Sequence, residues 1–406
     1  MAQAFRPTTP EELERIVAWA AAEEEPLEVI AGGSKRSLGR PVQAQHRLEL
    51  ARLSGIGLYE ASELVMSAAA GTPAVEVEAA LAENRQQLEF EPADYGPLLH
   101  AGGAKATIGG VFACNLAGPR RVRAGAARDH LLGFKAVAGR GQAFKSGGRV
   151  VKNVTGYDLS KLLAGTYGTL AVMSEVTFKV MPAAEAACTV LLLGLDEEKG
   201  LAALREALAS PYDISGAAHL PEGLARRSGV RAVASAGHAV TAIRLEGPHP
   251  SVVYRSEAVR KRLAAFGAGE ELQGGDAAAL WRELRDVAFF RGDPRPVWRL
   301  SVTPTAAARL VAEVLAVVGG EAFFDWGGGL VWLAVEPRSD AGHEAIRAAV
   351  GQAGGRATLL RADPDVRAAV PVFDPQPPAL AALTRRLKES FDPKRILNPG
   401  RMFAGL

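Results

Sequence analysis

Seven of the thirty residues from Gly96 to Gly125 are glycine, and that density constrains the chain more than any other feature. Ordinary turns do not need pairs at Gly102-Gly103 and Gly109-Gly110 with Gly118 close behind; such spacing brings backbone against backbone or against a ligand. An earlier cluster, Ala31-Gly32-Gly33-Ser34-Lys35-Arg36, directly follows the strand-like run Leu27-Glu28-Val29-Ile30. Adjacent glycines there let successive N–H groups converge on one anion, while the Ser34 hydroxyl adds a donor and Lys35 and Arg36 add charge. The spacing is neither that of a Walker loop nor that of the dinucleotide fingerprint, so nucleoside triphosphates and a Rossmann nicotinamide site lose support. Taken alone, the loop reads equally well as a glycine turn with exposed basic residues. In the later cluster, Ala106-Thr107-Ile108-Gly109-Gly110 runs into a helical stretch over 111–116, which is expected to offer free N–H groups and the Thr107 hydroxyl to a ligand's polar edge. Two such loops about seventy residues apart point to one extended ligand.

Local charge agrees. The 406 residues carry 47 Lys+Arg against 45 Asp+Glu, a net +2, yet between Gly96 and Tyr157 ten basic residues face the single acid Asp129. Phe112, Phe134 and Phe144 in this stretch fall in apolar strand or helix patterns, as core residues do, so a nucleic-acid surface is disfavoured and a solvated or partner-facing basic face remains. Cys114 and Cys188 are too few for a disulfide framework, a four-cysteine zinc site or a cysteine-ligated iron–sulfur cluster, and they fit a reduced, cytoplasmic chain. Thr9-Pro10-Glu11-Glu12 predicts a capped helix and not a signal peptide. No apolar run approaches the roughly 18 residues of a membrane span, so membrane association is expected only through partners. The seven histidines show no metal-ligand spacing, and no metal site is expected.

The pattern of elements predicts an α+β chain. A strand over 169–180 ends at Met181-Pro182, and a domain boundary is placed there. Beyond it, helical runs at 197–208, 251–266 and 305–317 alternate with strand-like runs at 241–245, 297–302 and 330–335, which predicts one antiparallel sheet covered by helices. The expected divisions are 1–182, 183–368 and a turn-rich tail, 369–406. No internal repeat is evident. Asp158, ahead of the helical run 158–164, reads as an N-cap as readily as a ligand.

Five separated motifs, in order, carry a resemblance: Gly32-Gly33-Ser34, Thr107-Ile108-Gly109-Gly110, Arg128-Asp129-His130, Gly156-Tyr157-Asp158-Leu159 with Gly168-Thr169-Leu170, and Asp392-Pro393 with Leu397-Asn398-Pro399-Gly400-Arg401. Together they resemble the vanillyl-alcohol-oxidase (PCMH) type of FAD-binding protein. Within it, Cys114-Asn115-Leu116-Ala117-Gly118-Pro119-Arg120-Arg121 and Lys152-Asn153-Val154-Thr155-Gly156-Tyr157-Asp158 are similar to the E-subunit branch of bacterial glycolate oxidases (glycolate dehydrogenases). The resemblance implies a PCMH-type FAD domain of two α/β subdomains at 1–182, an inserted antiparallel-sheet cap at 183–368 that serves the substrate, and a tail returning to the FAD domain.

It also implies site residues. Ala31, Gly32, Gly33, Ser34, Lys35 and Arg36 would hold the FAD diphosphate. Gly102, Gly103, Thr107, Gly109, Gly110, Asn115 and Gly118 would line the pyrophosphate and the isoalloxazine edge. Asp129, Gly168, Val172 and Asn398 complete the set, with main-chain hydrogen bonds near Val172. Residues 31–41 contain neither His nor Cys, so the FAD is expected to be non-covalent. The implied partners are a second FAD-containing subunit and an iron–sulfur subunit, and the implied substrate is a small 2-hydroxy acid. In Trp298-Arg299-Leu300-Ser301, Arg299 and Ser301 share one strand face, which makes Arg299 the candidate carboxylate clamp, with an ordinary ion pair as the alternative. Rival readings are a self-sufficient FAD-dependent hydroxy-acid or alcohol dehydrogenase, and a non-catalytic structural or nucleic-acid-binding subunit.

Overall fold

The computed structural model describes residues 3–149 and 156–406, so part of the motif at 152–158 lies outside the described residues. The chain forms two compact units, one of Met1–Leu116, Ala126–Ala183 and Pro375–Leu406, the other of Ala117–Gly125 and Ala184–Asp374. The tail thus rejoins the first unit at Pro375. The segment Ala117–Gly125, expected inside the first unit, packs within the second.

In the first unit, the helix Pro10–Glu23 starts where the Thr9 side chain accepts the Glu12 N–H at 3.2 Å, and Glu12 in turn takes the Thr8 N–H and hydroxyl. Leu13, Val17 and Ala20, on one helical face, are fully buried. They pack with Leu27, Leu48, Val137, Val172, Ile396 and Leu397, a core drawn from the helix, both sheets and the C-terminal tail. A three-stranded sheet is parallel, with Leu27–Ile30 at one edge beside His46–Glu49 and Ala4–Phe5, and Gln86–Gln87 pairs with Met181–Pro182 in a short antiparallel ribbon. The larger has five antiparallel strands in the order Ile56–Glu60, Val65–Ala69, Ala171–Lys179, Leu131–Ala138, Ala143–Gly147. The meander over 131–147 and the strand after Gly168 are therefore present as read from the sequence.

The second unit is built on an eight-stranded antiparallel sheet. The elements Ala186–Leu193, Glu197–Leu208, Ile214–Leu220, Val240–Gly247, His249–Arg262 and Glu270–Gln273 run strand-helix-strand-strand-helix-strand. Two four-residue helices interrupt one connection. Val297–Ser301, Ala307–Val318, Glu321–Asp325, Leu330–Ala334, His343–Gln352 and Arg356–Arg361 repeat that order, and the halves meet edge to edge at His219 and Phe324. No repeat is evident in the sequence, yet the two halves repeat one order of elements. The repeat is one of topology, which needs only matching apolar periodicity, so no shared residues advertise it in the sequence.

Candidate cofactor cleft

A cleft in the first unit encloses about 670 Å³ of space, its open mouth included. Its walls take in Ala31 to Arg36, Thr107, Gly109 and Gly110, and Gly168 and Val172, so three separated motifs converge as the sequence suggested. The strand Leu27–Ile30 delivers the first loop, in which Gly33 has φ 84°, a left-handed conformation that glycine adopts without strain. The N–H groups of Gly32, Gly33, Ser34 and Lys35 donate to no acceptor among the described residues. They form a nest of unspent donors of the kind that cradles an anion. A Cβ on Gly32 would sit 2.0 Å from the Lys105 carbonyl oxygen, so no other residue fits there.

The second loop works differently from the sequence reading. Its N–H groups are not free: Ile108 donates to Thr72 O at 2.9 Å, Gly109 to Ala70 O at 3.0 Å, and Gly110 to Thr107 Oγ1 at 3.3 Å. The helix is Ile108–Cys114, capped by Thr107. Gly109 is there for close packing, since a Cβ would lie 2.6 Å from Ala70 Cβ and 2.7 Å from its carbonyl oxygen. The loop supplies shape, and the first loop supplies the donors.

Three cations, Lys35, Arg36 and Arg401, line the cleft and no carboxylate does. Lys35 is buried, its Nζ 3.3 Å from Ser34 Oγ, and burial lowers its pKa. Arg401, from the tail, is equally buried; one amino group donates to Lys35 O at 2.9 Å, while its Nε has no partner among the described residues. Burial lowers the Arg401 pKa too, with Cys114 the first of the groups opposing the shift. Burial holds the Cys114 thiol up against the pull of Lys35 and Arg401, so it supplies no neutralising thiolate. Two desolvated cations, Lys35 and Arg401, with Asp94 and Glu28 acting on them only from beyond ion-pair contact, stand beside four unspent N–H donors and fit a dianionic diphosphate. Arg36, expected to share that work, spends its guanidinium on Glu28 through bonds of 2.6 and 2.8 Å.

Other expected site residues hold the cleft rather than line it. Asn398 Oδ1 accepts the Val29 N–H at 2.8 Å and its Nδ2 donates to Tyr167 O at 2.8 Å, tying two walls together. Asn115 ends the Ile108–Cys114 helix with φ 50°, and its Oδ1 accepts the Arg128 N–H at 2.9 Å. Asp129 Oδ2 accepts the Ala126 N–H at 2.9 Å. Gly102 and Gly103 form an exposed loop with φ of 58° and 82°. Asp158 caps the helix Leu159–Leu163 through the Lys161 N–H. Arg401, Cys114, Tyr167 and Met173 line the cleft without having been singled out as ligands.

Gly118 and Arg299 belong to the second unit. There the Gly118 carbonyl accepts the Trp326 indole N–H at 3.1 Å. Arg120 bonds Glu246 through two contacts, 2.9 and 2.7 Å, and Arg123 pairs with Asp213 at 2.9 Å. Burial would push the Glu246 carboxyl up, but Arg244 and Arg120 outweigh it and hold it down to about 2. Much of the basic stretch is thereby consumed inside the molecule. Arg299 enters no ion pair among the described residues; its guanidinium lies 5.1 Å from the centre of the Trp326 ring, whose face also carries Arg121 at 4.8 Å.

Residues 1–147 match the FAD binding domain family, and residues 375–402 match the FAD linked oxidases, C-terminal domain. The second match covers Asn398 and Arg401, the tail residues that reach the cleft. Glycolate oxidase subunit GlcE of Escherichia coli (strain K12) is 35% identical over 388 residues, covering 95% of each chain. Glycolate oxidase subunit GlcD of Bacillus subtilis (strain 168) is 38% identical over 87 residues, 21% of this chain and 18% of the relative. Among solved structures, p-cresol methylhydroxylase with substrate bound superposes with a TM-score of 0.74 at 16% identity, covering 98% of this chain and 88% of that one. The expected fold is the one observed, and the cleft fits the expected cofactor. The chain belongs to the FAD-linked oxidoreductases of the glycolate oxidase GlcE family.

Proposed function

We propose that this chain is an FAD-binding subunit of a multisubunit glycolate oxidase, in which glycolate is oxidised to glyoxylate and electrons pass onward to a second flavoprotein subunit and an iron–sulfur subunit. The observation that carries the reading is the cleft: unspent N–H donors at Gly32 to Lys35 beside the buried Lys35 and Arg401, which make no ion pair among the described residues, in a chain similar to GlcE along nearly its whole length. FAD, when bound, accepts the two electrons. This chain's residues bind and orient it. Lys35, Arg401 and the first loop take the diphosphate, Thr107, Gly109 and Gly110 shape the adjoining wall, and the strand entered at Gly168 runs past the ligand at Val172. Residues 31–41 offer neither His nor Cys as a covalent tether, which supports FAD held by non-covalent contacts.

Arg299 is the proposed carboxylate clamp. Trp326 holds its guanidinium by the π face and leaves the donor edge unspent, which suits two-point recognition of a carboxylate. Arg299→Ala is expected to raise the apparent KM for glycolate at least tenfold in the assembled complex with FAD content unchanged; unchanged kinetics would remove the clamp. Co-expression with and without the two partner subunits, scoring FAD content and glycolate-dependent dye reduction, tests the function. Turnover is expected only from the assembly. Bleaching of the isolated chain's flavin by glycolate would identify a self-sufficient enzyme instead. No helix among the described residues is long and apolar enough to cross a membrane. We propose a cytoplasmic place for the chain, with membrane acceptors reached through its partners.

A further inference from the structure

The helix Pro378–Phe391 has its polarity inverted. Its one buried side chain is Lys388, whereas Leu380 and Leu383 stand 44% and 47% exposed and Leu387 is half-buried. At 3.6 residues per turn these three leucines fall within about 60° of arc, so they form a single stripe. The stripe runs toward Phe391, whose ring contacts Phe144 of the strand Ala143–Gly147 at 6.0 Å between centroids. That strand is the last of its sheet, with no further strand paired to it among the described residues. Arg386 borders the stripe beside Leu383, and Arg385 lies on the far face of the helix. Both are exposed and make no ion pair or hydrogen bond among the described residues. A globular helix ordinarily turns its leucines inward, so this one keeps an apolar stripe for something outside the chain.

We infer that this stripe is a docking face for another protein subunit, one that presents an apolar strip bordered by carboxylates opposite Arg386. The inference rests on the multisubunit reading above and assigns that assembly a contact surface on this chain. Charge decides the rim of the partner, since an unpaired arginine beside an apolar strip is best met by an acid. Size decides against a lipid surface. A myristoyl chain, with more exposed apolar carbon than these leucines, binds membranes only marginally, and a chain of net +2 has little general attraction to anionic lipid.

The test uses the full-length FAD-loaded chain and, as probe, the tagged second flavoprotein subunit of the same complex. The double variant Leu380→Ser with Leu383→Ser is expected to keep its FAD content and melting temperature while binding the probe at least about tenfold more weakly. Arg386→Glu is expected to weaken binding less, and Arg386→Lys to restore most of it. If the wild-type chain binds the probe and the double variant binds it equally, the docking face is wrong and the complex stands. If the wild-type chain does not bind the probe at all, the complex reading and the docking face fall together. Loss, in the double variant, of binding to phosphatidylglycerol vesicles, or of a wild-type dimer seen by light scattering, would show a lipid or a second copy on the stripe and overturn the inference.

Discussion

Lys35 and Arg401 are the residues on which the proposed cofactor binding turns. Each is a buried cation with no carboxylate in ion-pair contact among the described residues, so the cleft carries a desolvation cost that a bound diphosphate would relieve. Lys35→Met should therefore weaken FAD binding by roughly tenfold to a hundredfold, the scale of a charge-assisted hydrogen bond. The apoprotein should melt no lower than wild type, because a buried charge has been removed; calorimetry of both forms separates the two effects. At Gly109 the demand is steric. Gly109→Ala forces a Cβ into Ala70 at 2.6 Å and should cost about 1–3 kcal/mol in urea unfolding, with FAD content falling alongside. Lys35 was legible in the sequence from its place in a glycine loop. Arg401 was visible only as part of a terminal motif, because nothing local to residue 401 says that its side chain returns to a loop at residue 35.

The C-terminal tail acts as a clasp on the cleft. Lys388 Nζ donates to Thr169 O at 2.7 Å, Asp392 Oδ2 at 2.7 Å and Leu397 O at 3.0 Å, while Asp392 accepts the N–H groups of Ile396 and Leu397. Asn398 reaches Val29 and Tyr167, and Arg401 reaches Lys35, so successive tail residues fasten both walls and the loop. Lys388→Met leaves a fully buried carboxylate without its cation and should cost about 3–5 kcal/mol, measured by denaturant unfolding. Element by element, the sequence was most legible where periodicity was strong, as in the helix Glu197–Leu208 and the meander over 131–147. It misled at the second glycine loop. The sequence shows that glycine is present there; whether its N–H groups are free depends on acceptors at Ala70 and Thr72, far along the chain.

At the scale of the whole molecule, part of the local excess of positive charge is spent inside the second unit. Arg120, Arg121 and Arg123 lie in the segment that packs with the second unit, where Glu246, Trp326 and Asp213 receive them. What read as a partner-facing stretch is in this part an internal fastening. Glu246 titrates far below its ordinary value of 4.5, at about 2, so its stabilising contribution is present above about pH 4.5 and is lost as the pH falls toward 2. Glu246→Gln should lower stability at neutral pH by about 3–5 kcal/mol, with the gap to wild type closing across that acid window. A gap that stayed constant down to pH 2 would contradict the linkage. The central claim, that the chain is a flavoprotein whose first-unit cleft holds FAD through Lys35, Arg401 and the first loop, is tested most directly by the flavin content of the purified chain before and after acid precipitation. The account predicts close to one FAD per wild-type chain, all of it released to the supernatant, and a marked loss in Lys35→Met. A colourless wild-type protein that takes up no added FAD, or flavin that stays with the precipitate, would contradict it.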